Sequence, residues 1–251
     1  MTEYNKAGFL SGSTLKIIAC VFMAIDHVGL TFFPNSDIFR ILGRLAFPIF
    51  AFLIAEGSRY SKHKLRRFSL IFLIGLVFFA FYYLYDGMMY GNIFLTFSVS
   101  IFLDNLLYIC KKNAFCNPNK IYPALLFILF IIVTIATYYF FTLIHFEYRF
   151  CGMLLPVIIN LTNFRGIDVP ESFNKMDSHT VRIILAFIGM ILLSVNGNLG
   201  AIQFYCLIAI IPLAFYNGEV GCKKMKYAFY IFYPAHLIII EGIAMLLPYI
   251  K

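Results

Sequence analysis

The chain has 251 residues, of which 62% are hydrophobic and only 13% charged, and it carries a formal net charge of +8. Soluble domains carry about 25% charged residues, so there is too little polar surface here to cover a water-facing globule. A polytopic, all-α integral membrane helix bundle follows. The positive balance does not point to nucleic acid, because the basic residues lie in short loops between apolar runs, where they mark membrane topology.

Nine apolar runs read as transmembrane helices, at about 15–33, 38–57, 67–85, 92–109, 121–142, 149–162, 180–195, 199–216 and 226–248. A span needs roughly 20 residues, so the third and fifth are secure while the sixth and seventh are short. The first run shows no cleavage pattern of a secretory leader, is interrupted by Asp26 and His27, and reads as a retained span. Arg59, Lys62, Lys64, Arg66 and Arg67 follow span two, and Lys111, Lys112 and Lys120 follow span four. Arg165, Lys175 and Arg182 follow span six, and Lys223, Lys224 and Lys226 follow span eight. The alternate loops, around Asn35, Asp86, Glu147 and Asn196, hold little but Arg149. The positive-inside rule then places the N-terminus in the cytoplasm and Lys251 outside, in a multi-pass protein of the plasma or inner membrane. With no Trp in the chain, Tyr82, Tyr83, Tyr85, Tyr90, Tyr138, Tyr139, Tyr148 and Tyr249 are the expected interfacial anchors. The six cysteines show no CxxC spacing, and neither a disulfide framework nor a metal site is expected. Residues 1–251 read as one transmembrane domain.

An ionisable side chain at the bilayer centre costs roughly 2.5–3.5 kcal/mol on insertion scales, so each one needs a reason. Asp26 and His27 lie in span one, Arg40, Arg44 and Glu56 in span two, Asp104 in span four, Gln203 in span eight, and His236 and Glu241 in the last. Eleven residues separate Lys16 from His27, about 1,100° of helix rotation and a rise of roughly 16 Å, which puts both on one face. Arg40 and Arg44 are spaced i, i+4 on one face of a helix running the other way. Adjacent helix residues do not face each other, so Asp26 is expected to pair with Arg40 or Arg44 across the interface rather than to hold the His27 ring. That leaves His27 either as a general base for an attacking amine or hydroxyl or as a histidine hydrogen-bonded between helices. His236 either binds substrate or caps the kink at Pro234. Glu56 is expected to neutralise Arg59, Asp104 and Asn105 to satisfy neighbouring helix ends, and His63 and His179 to be solvated.

The segments Leu15 to Ala19, Ile25-Asp26-His27-Val28-Gly29, and Ile41-Leu42-Gly43-Arg44-Leu45-Ala46-Phe47-Pro48 through Gly57 resemble the TraX family. The likeness continues at Gly91-Asn92-Ile93-Phe94-Leu95-Thr96, at Pro212 to Gly221 and at Tyr230 to Leu237. That family takes its name from a membrane protein that acetylates the N-terminus of a conjugative pilin, and it looks related to the acyltransferase-3 group. The resemblance implies His27 as catalyst supported by Asp26, with Lys16, Arg44 and the neighbouring Arg40 handling an acyl-coenzyme A donor, most simply acetyl-CoA. Glu56, His236, Asn92 and Glu147 are the expected substrate-side or supporting positions. One departure stands out: Glu147-Tyr148-Arg149 occupies a stretch where the resemblance leads one to expect Asp-Tyr-Gly. The expected activity is acyl transfer to an amine or hydroxyl of an envelope glycan, peptide or small molecule. The alternative is a proton- or anion-coupled transporter or flippase built on the same intramembrane charges, which an inverted repeat would favour.

Overall fold

The computed structural model describes residues 8–87, 89–196, 200–222 and 228–250. Lys223, Lys224, Lys226 and Lys251 lie outside the described residues, as do the side chains of Asp86, Asn196 and Tyr249. Among the described residues the regular structure is helical apart from one minimal strand pair and an isolated bridge between Leu10 and Tyr216, and the chain divides into two units, residues 3–53 with 198–251 and residues 54–197.

The unit built from both ends of the chain begins with α1, Gly12–Phe32. The Ser11 hydroxyl caps it by accepting from the Thr14 amide at 3.3 Å. The two amides before that one are used by a strap from the C-terminal half of the chain: Gly12 donates to the Glu219 carbonyl at 2.7 Å and Ser13 to Val220 at 3.0 Å. Gly221, at φ 74°, completes the strap, and a Cβ there would stand 1.9 Å from the Ser13 hydroxyl. The orphan amides of this helix start are thus satisfied by protein.

The span expected at 38–57 is broken. It forms α2, Asp37–Gly43, and α3, Ala46–Tyr60, with a turn at Arg44-Leu45. Pro48 is the cause: it has no amide to bond the Arg44 carbonyl four residues back, and its ring would clash there. The i, i+4 relation of the arginines survives because the Arg44 amide still bonds the Arg40 carbonyl at 3.1 Å. The helix expected at 199–216 runs as a 3-10 helix over Gly200–Ala209, then a short α10, Ile210–Ala214, numbered after the helices of the other unit described below. The last helix, α11, Ala228–Ile250, packs on α1.

In the other unit, α4 is Lys64–Asp86, α5 Ile93–Cys116, α6 Ile121–Leu143 and α7 Arg149–Ile159. A short α8, Glu171–Met176, absent from the sequence-based expectation, precedes α9, His179–Asn196. Helix α5 packs against α4, α6 and α7 around a core of Leu95, Leu103, Leu107, Phe141, Phe146, Met153 and Val157. Asn92 starts it: its side-chain oxygen accepts from the Phe94 and Leu95 amides at 3.0 and 3.2 Å, and its amide donates to the Gly75 carbonyl at 2.8 Å. That one side chain therefore caps α5 and ties it to α4. On α6 the buried residues are Pro123 and Phe141, so this very apolar helix presents most of its surface for lipid.

Strands β1, Tyr90–Gly91, and β2, His145–Phe146, pair in parallel. Gly91 permits it, since a Cβ there would meet the Phe146 ring at 2.3 Å. The chain then turns through two consecutive non-glycine residues at positive φ, Tyr148 at 60° and Arg149 at 51°, each of which strains an L side chain.

The largest difference from expectation lies where α3 and α5 end. Arg59, Lys111 and Arg182, read from sequence as basic loop residues, are buried, and so is His179, which was expected in solvent. Glu56 does not neutralise Arg59. It pairs with Arg182 of α9, while Arg59 pairs with Asp177, the residue after α8. Asp104 accepts from the Asn160 amide at 3.0 Å, and Lys111 donates to the carbonyls of Asn160 and Leu161 at 2.9 and 3.3 Å, holding the turn that follows α7. Buried charges require such partners.

Among the described residues, five helical segments are long and apolar enough to cross a membrane: Gly12–Phe32, Asp37–Tyr60, Lys64–Tyr85, Ile93–Cys116 and Ile121–Leu143. Four shorter apolar helices, Arg149–Ile159, His179–Val195, Gly200–Ala214 and Tyr230–Leu246, fall on the remaining expected runs.

Two outcomes follow for stability in detergent. Glu56→Ala removes the carboxylate from a guanidinium that is 1% exposed, and is expected to lower the unfolding free energy by about 3 kcal/mol; the exposed Lys175→Ala serves as the silent control. Arg149→Gly relieves the positive φ and is expected to raise the melting temperature, whereas Arg149→Val, β-branched at that φ, lowers it.

Candidate active site

Asp26 and His27 of span one and Arg40 and Arg44 of span two meet in the unit formed by the chain's two ends. Asp26 faces α2 and is almost completely buried. Arg44 Nη2 donates to both of its oxygens at 2.9 Å, and Arg40 Nη1 donates to Oδ2 at 3.1 Å. The expected partner of Asp26 is therefore both arginines together. Arg44 Nε also donates to the Arg40 carbonyl at 3.2 Å, stitching the end of α2 to itself.

Close approach of the backbones makes this possible. A Cβ on Gly43 would fall 2.2 Å from Asp26 Oδ1, and one on Gly29 would fall 2.1 Å from the Phe39 Cβ. Both glycines belong to the motifs that carried the family resemblance, and here the reason for each is steric. Beyond them the Phe33 and Phe39 rings stack with centroids 4.9 Å apart.

His27, next in sequence to Asp26, points another way, toward α11. Its ring meets that of His236 edge-on, with centroids 5.0 Å apart and planes at 62°. Among the described residues the His27 ring makes no hydrogen bond to protein, so the reading of it as a histidine hydrogen-bonded between helices is not what is seen. Asp26, Arg40, Arg44 and His236 are the charged and titratable groups that act on it. His236 does not cap the proline kink: its Nδ1 bonds the Phe232 carbonyl, at 2.9 Å, and not the Tyr230 carbonyl four residues before Pro234. A carbonyl only accepts, so Nδ1 carries the proton and Nε2 the lone pair. Phe232 stacks on the same ring at 5.0 Å and 8°, and Tyr233 meets it edge-on at 5.7 Å.

Asp26, His27, Arg40, Arg44 and His236 thus form one constellation. Lys16 lies half-buried on the same helix as His27, three turns nearer its start, at the roughly 16 Å that eleven residues span. Glu56, Asn92 and Glu147 belong to the other unit, each with contacts inside it. Glu56 holds Arg182, Asn92 caps α5, and Glu147 joins the strand pair through its amide to the Gly91 carbonyl at 2.8 Å and accepts the Thr96 hydroxyl on its own carbonyl at 3.1 Å. The buried set Asp104, Lys111, Asn160, Asp177 and Arg182 was missed as a group. Asp104 and Lys111, seven residues apart on one helix face, were the readable hint; the partners of the others come from distant segments. No group of three or more His, Cys, Asp or Glu side chains placed to hold a metal occurs among the described residues.

The fold and these buried groups define a multi-pass helical membrane protein with a histidine and an ion-paired acid inside its helices. The chain belongs to the TraX family, described as TraX protein, which it matches over residues 11–244. It is similar to a probable fimbrial assembly protein of Dichelobacter nodosus (FimC, serogroup H1), with 23% identity over 94% of this chain and 97% of that protein. A shorter likeness, 46% identity over 52 residues and 21% of each chain, links it to an uncharacterised protein of Rickettsia prowazekii. No solved structure matches it.

Unequal burial separates the two arginines. Arg44→Met, at a side chain 4% exposed, is expected to destabilise the protein by about 3 kcal/mol. Arg40→Met, at a side chain 21% exposed and bonded to one oxygen, is expected to lose less than half of that in the same thermal or denaturant unfolding assay.

Proposed function

We propose that this protein is a membrane acyltransferase that moves an acyl group, most simply acetyl, from cytoplasmic acyl-coenzyme A to an amine or hydroxyl acceptor of the cell envelope. The observation that carries this reading is His27: an imidazole that makes no hydrogen bond to protein among the described residues, half-buried, beside a carboxylate already held by two guanidiniums. A base in that setting is not consumed by its neighbours and stays available to an incoming N–H or O–H. The acceptor gives its proton to His27 and attacks the thioester carbonyl, the tetrahedral oxyanion collapses, and the thiolate leaves. Arg40 holds Asp26 through Nη1 alone and is the more accessible guanidinium, so the developing oxyanion falls within its remit and that of Arg44. Asp26 keeps the two cations in place.

Lys16 supports the donor side. The strap over α1 uses the Gly12 and Ser13 amides, so the pyrophosphate of a nucleotide would be held by side chains rather than by the helix start. An extended pantetheine arm suits the roughly 16 Å from Lys16 to His27. In this reading all nine apolar helices lie within the membrane, the N-terminus is cytoplasmic, and the membrane is the plasma or inner membrane. The fimbrial-assembly name of the Dichelobacter relative supports a peptide amine of a surface fibre as the first acceptor to try, ahead of glycan hydroxyls and small metabolites.

The test uses purified full-length protein in lipid nanodiscs with labelled acetyl-CoA and envelope extracts. Wild type is expected to label an acceptor, and His27→Ala to lower the rate by about 10²–10⁴-fold. Lys16→Ala is expected to raise KM for acetyl-CoA more than it lowers kcat. Full transfer by both variants would overturn the mechanism.

A further inference from the structure

His236 is placed for more than packing. Its Nδ1–H is committed to the Phe232 carbonyl, which fixes the tautomer and leaves Nε2 as a base. That Nε2 atom is buried, and no protein group among the described residues bonds it, although a buried imidazole nitrogen ordinarily finds a partner. Two titratable rings lie against it, Tyr233 edge-on at 5.7 Å and His27 at 5.0 Å between centroids, and a single bridging water would span the gap between the two imidazoles.

The surroundings of the two rings differ. His27 lies beside Asp26, whose carboxylate is already held by Arg40 and Arg44, and its ring makes no hydrogen bond to protein among the described residues. A positive charge on His236 would keep its bond to the Phe232 carbonyl and lie flat against the Phe232 ring face. That carbonyl and that ring face give a proton on His236 a fixed partner that His27 lacks.

We propose that His236 is the proton-holding partner of His27, the pair forming a two-histidine relay for the acyl transfer. This rests on the acyltransferase reading above. As the acceptor gives its proton to one nitrogen of His27, the opposite nitrogen passes its own proton to His236 Nε2. The new bond forms between the acceptor nitrogen or oxygen and the acyl carbon, and the carbon–sulfur bond breaks. The path then runs backward: His236 returns its proton to His27, which protonates the leaving thiolate. His27 stays neutral throughout, and no proton is gained or lost overall. His236 is a positioning residue here, since it acts through His27 without touching the acyl group.

The experiment pairs two readouts on the full-length protein in nanodiscs. The first is ¹⁵N NMR of histidine-labelled protein through a pH titration, with His27→Gln and His236→Asn used for assignment. The proposal expects His236 as the Nδ1–H tautomer when neutral, and expects it to take up a proton before His27 as pH falls. Protonation of His27 first, or a His236 tautomer with the proton on Nε2, overturns it. The second readout is acetyl transfer from acetyl-CoA to hydroxylamine as a probe nucleophile. His236→Asn retains a donor for the Phe232 carbonyl but has no relay nitrogen. It is expected to keep the wild-type melting temperature and KM for acetyl-CoA while losing kcat by about 100-fold, with an altered pH–rate profile. Wild-type kcat and pH profile in His236→Asn would reduce His236 to a packing residue. If wild type transfers no acetyl group yet His236 still protonates first, the acyltransferase reading falls and the proton-holding role stands on the titration.

Discussion

Three side chains that could not stand singly inside a helix bundle stand together at Asp26. A lone carboxylate or guanidinium in this position would carry the full penalty of leaving water, and removing one member of a buried pair typically costs 3–5 kcal/mol. Here one carboxylate receives three hydrogen bonds from Arg40 and Arg44. Much of the surrounding geometry follows from that requirement. Gly43 must lack a side chain so that Asp26 can reach past it. The helix after Arg44 must stop and restart, which Pro48 enforces. With the acid committed to the arginines, the adjacent His27 is left to face α11 and the second histidine.

The same logic, applied elsewhere, yields a different result in the other unit. Glu56 with Arg182, Arg59 with Asp177, and Lys111 with the carbonyls that follow α7 join residues from α3, α5, α9 and the turns after α7 and α8. These partners satisfy the buried charges and tie helix ends together. Their arrangement suits a brace better than a reactive centre. The histidine pair differs because one nitrogen is left over on a ring whose tautomer is otherwise settled.

Much of the site was legible from spacing. The helical period placed Lys16 and His27 on one face and separated Asp26 from its neighbour, and the i, i+4 arginines pointed to the partner that the structure shows. The partners of Glu56 and Arg59 were not legible. Local spacing made those two neighbours look like a pair, whereas each bonds a residue more than a hundred positions away. Lys111, Arg182 and His179 were misplaced for a related reason. A charged residue at the edge of an apolar run looks the same in sequence whether it faces water or a buried partner. His236 was singled out, but its true contact was hidden because α1 and α11 lie at opposite ends of the chain.

Composition was sufficient for the membrane class, since 13% charged residues cannot cover a soluble fold of this length. Periodicity was sufficient for where most of the apolar helical runs fall, because an isolated helix already obeys that geometry, but not for the break at Arg44-Leu45 or for α8. Everything that depends on one helix meeting another belonged to the tertiary structure: that both arginines share Asp26, that a strap from residues 215–222 closes the start of α1, and that His27 meets His236. Burial makes an unpartnered charge or backbone amide expensive, but it does not say which of several distant groups will satisfy it. Packing makes that choice, and with His236 it brought the histidine of the first span against a second one.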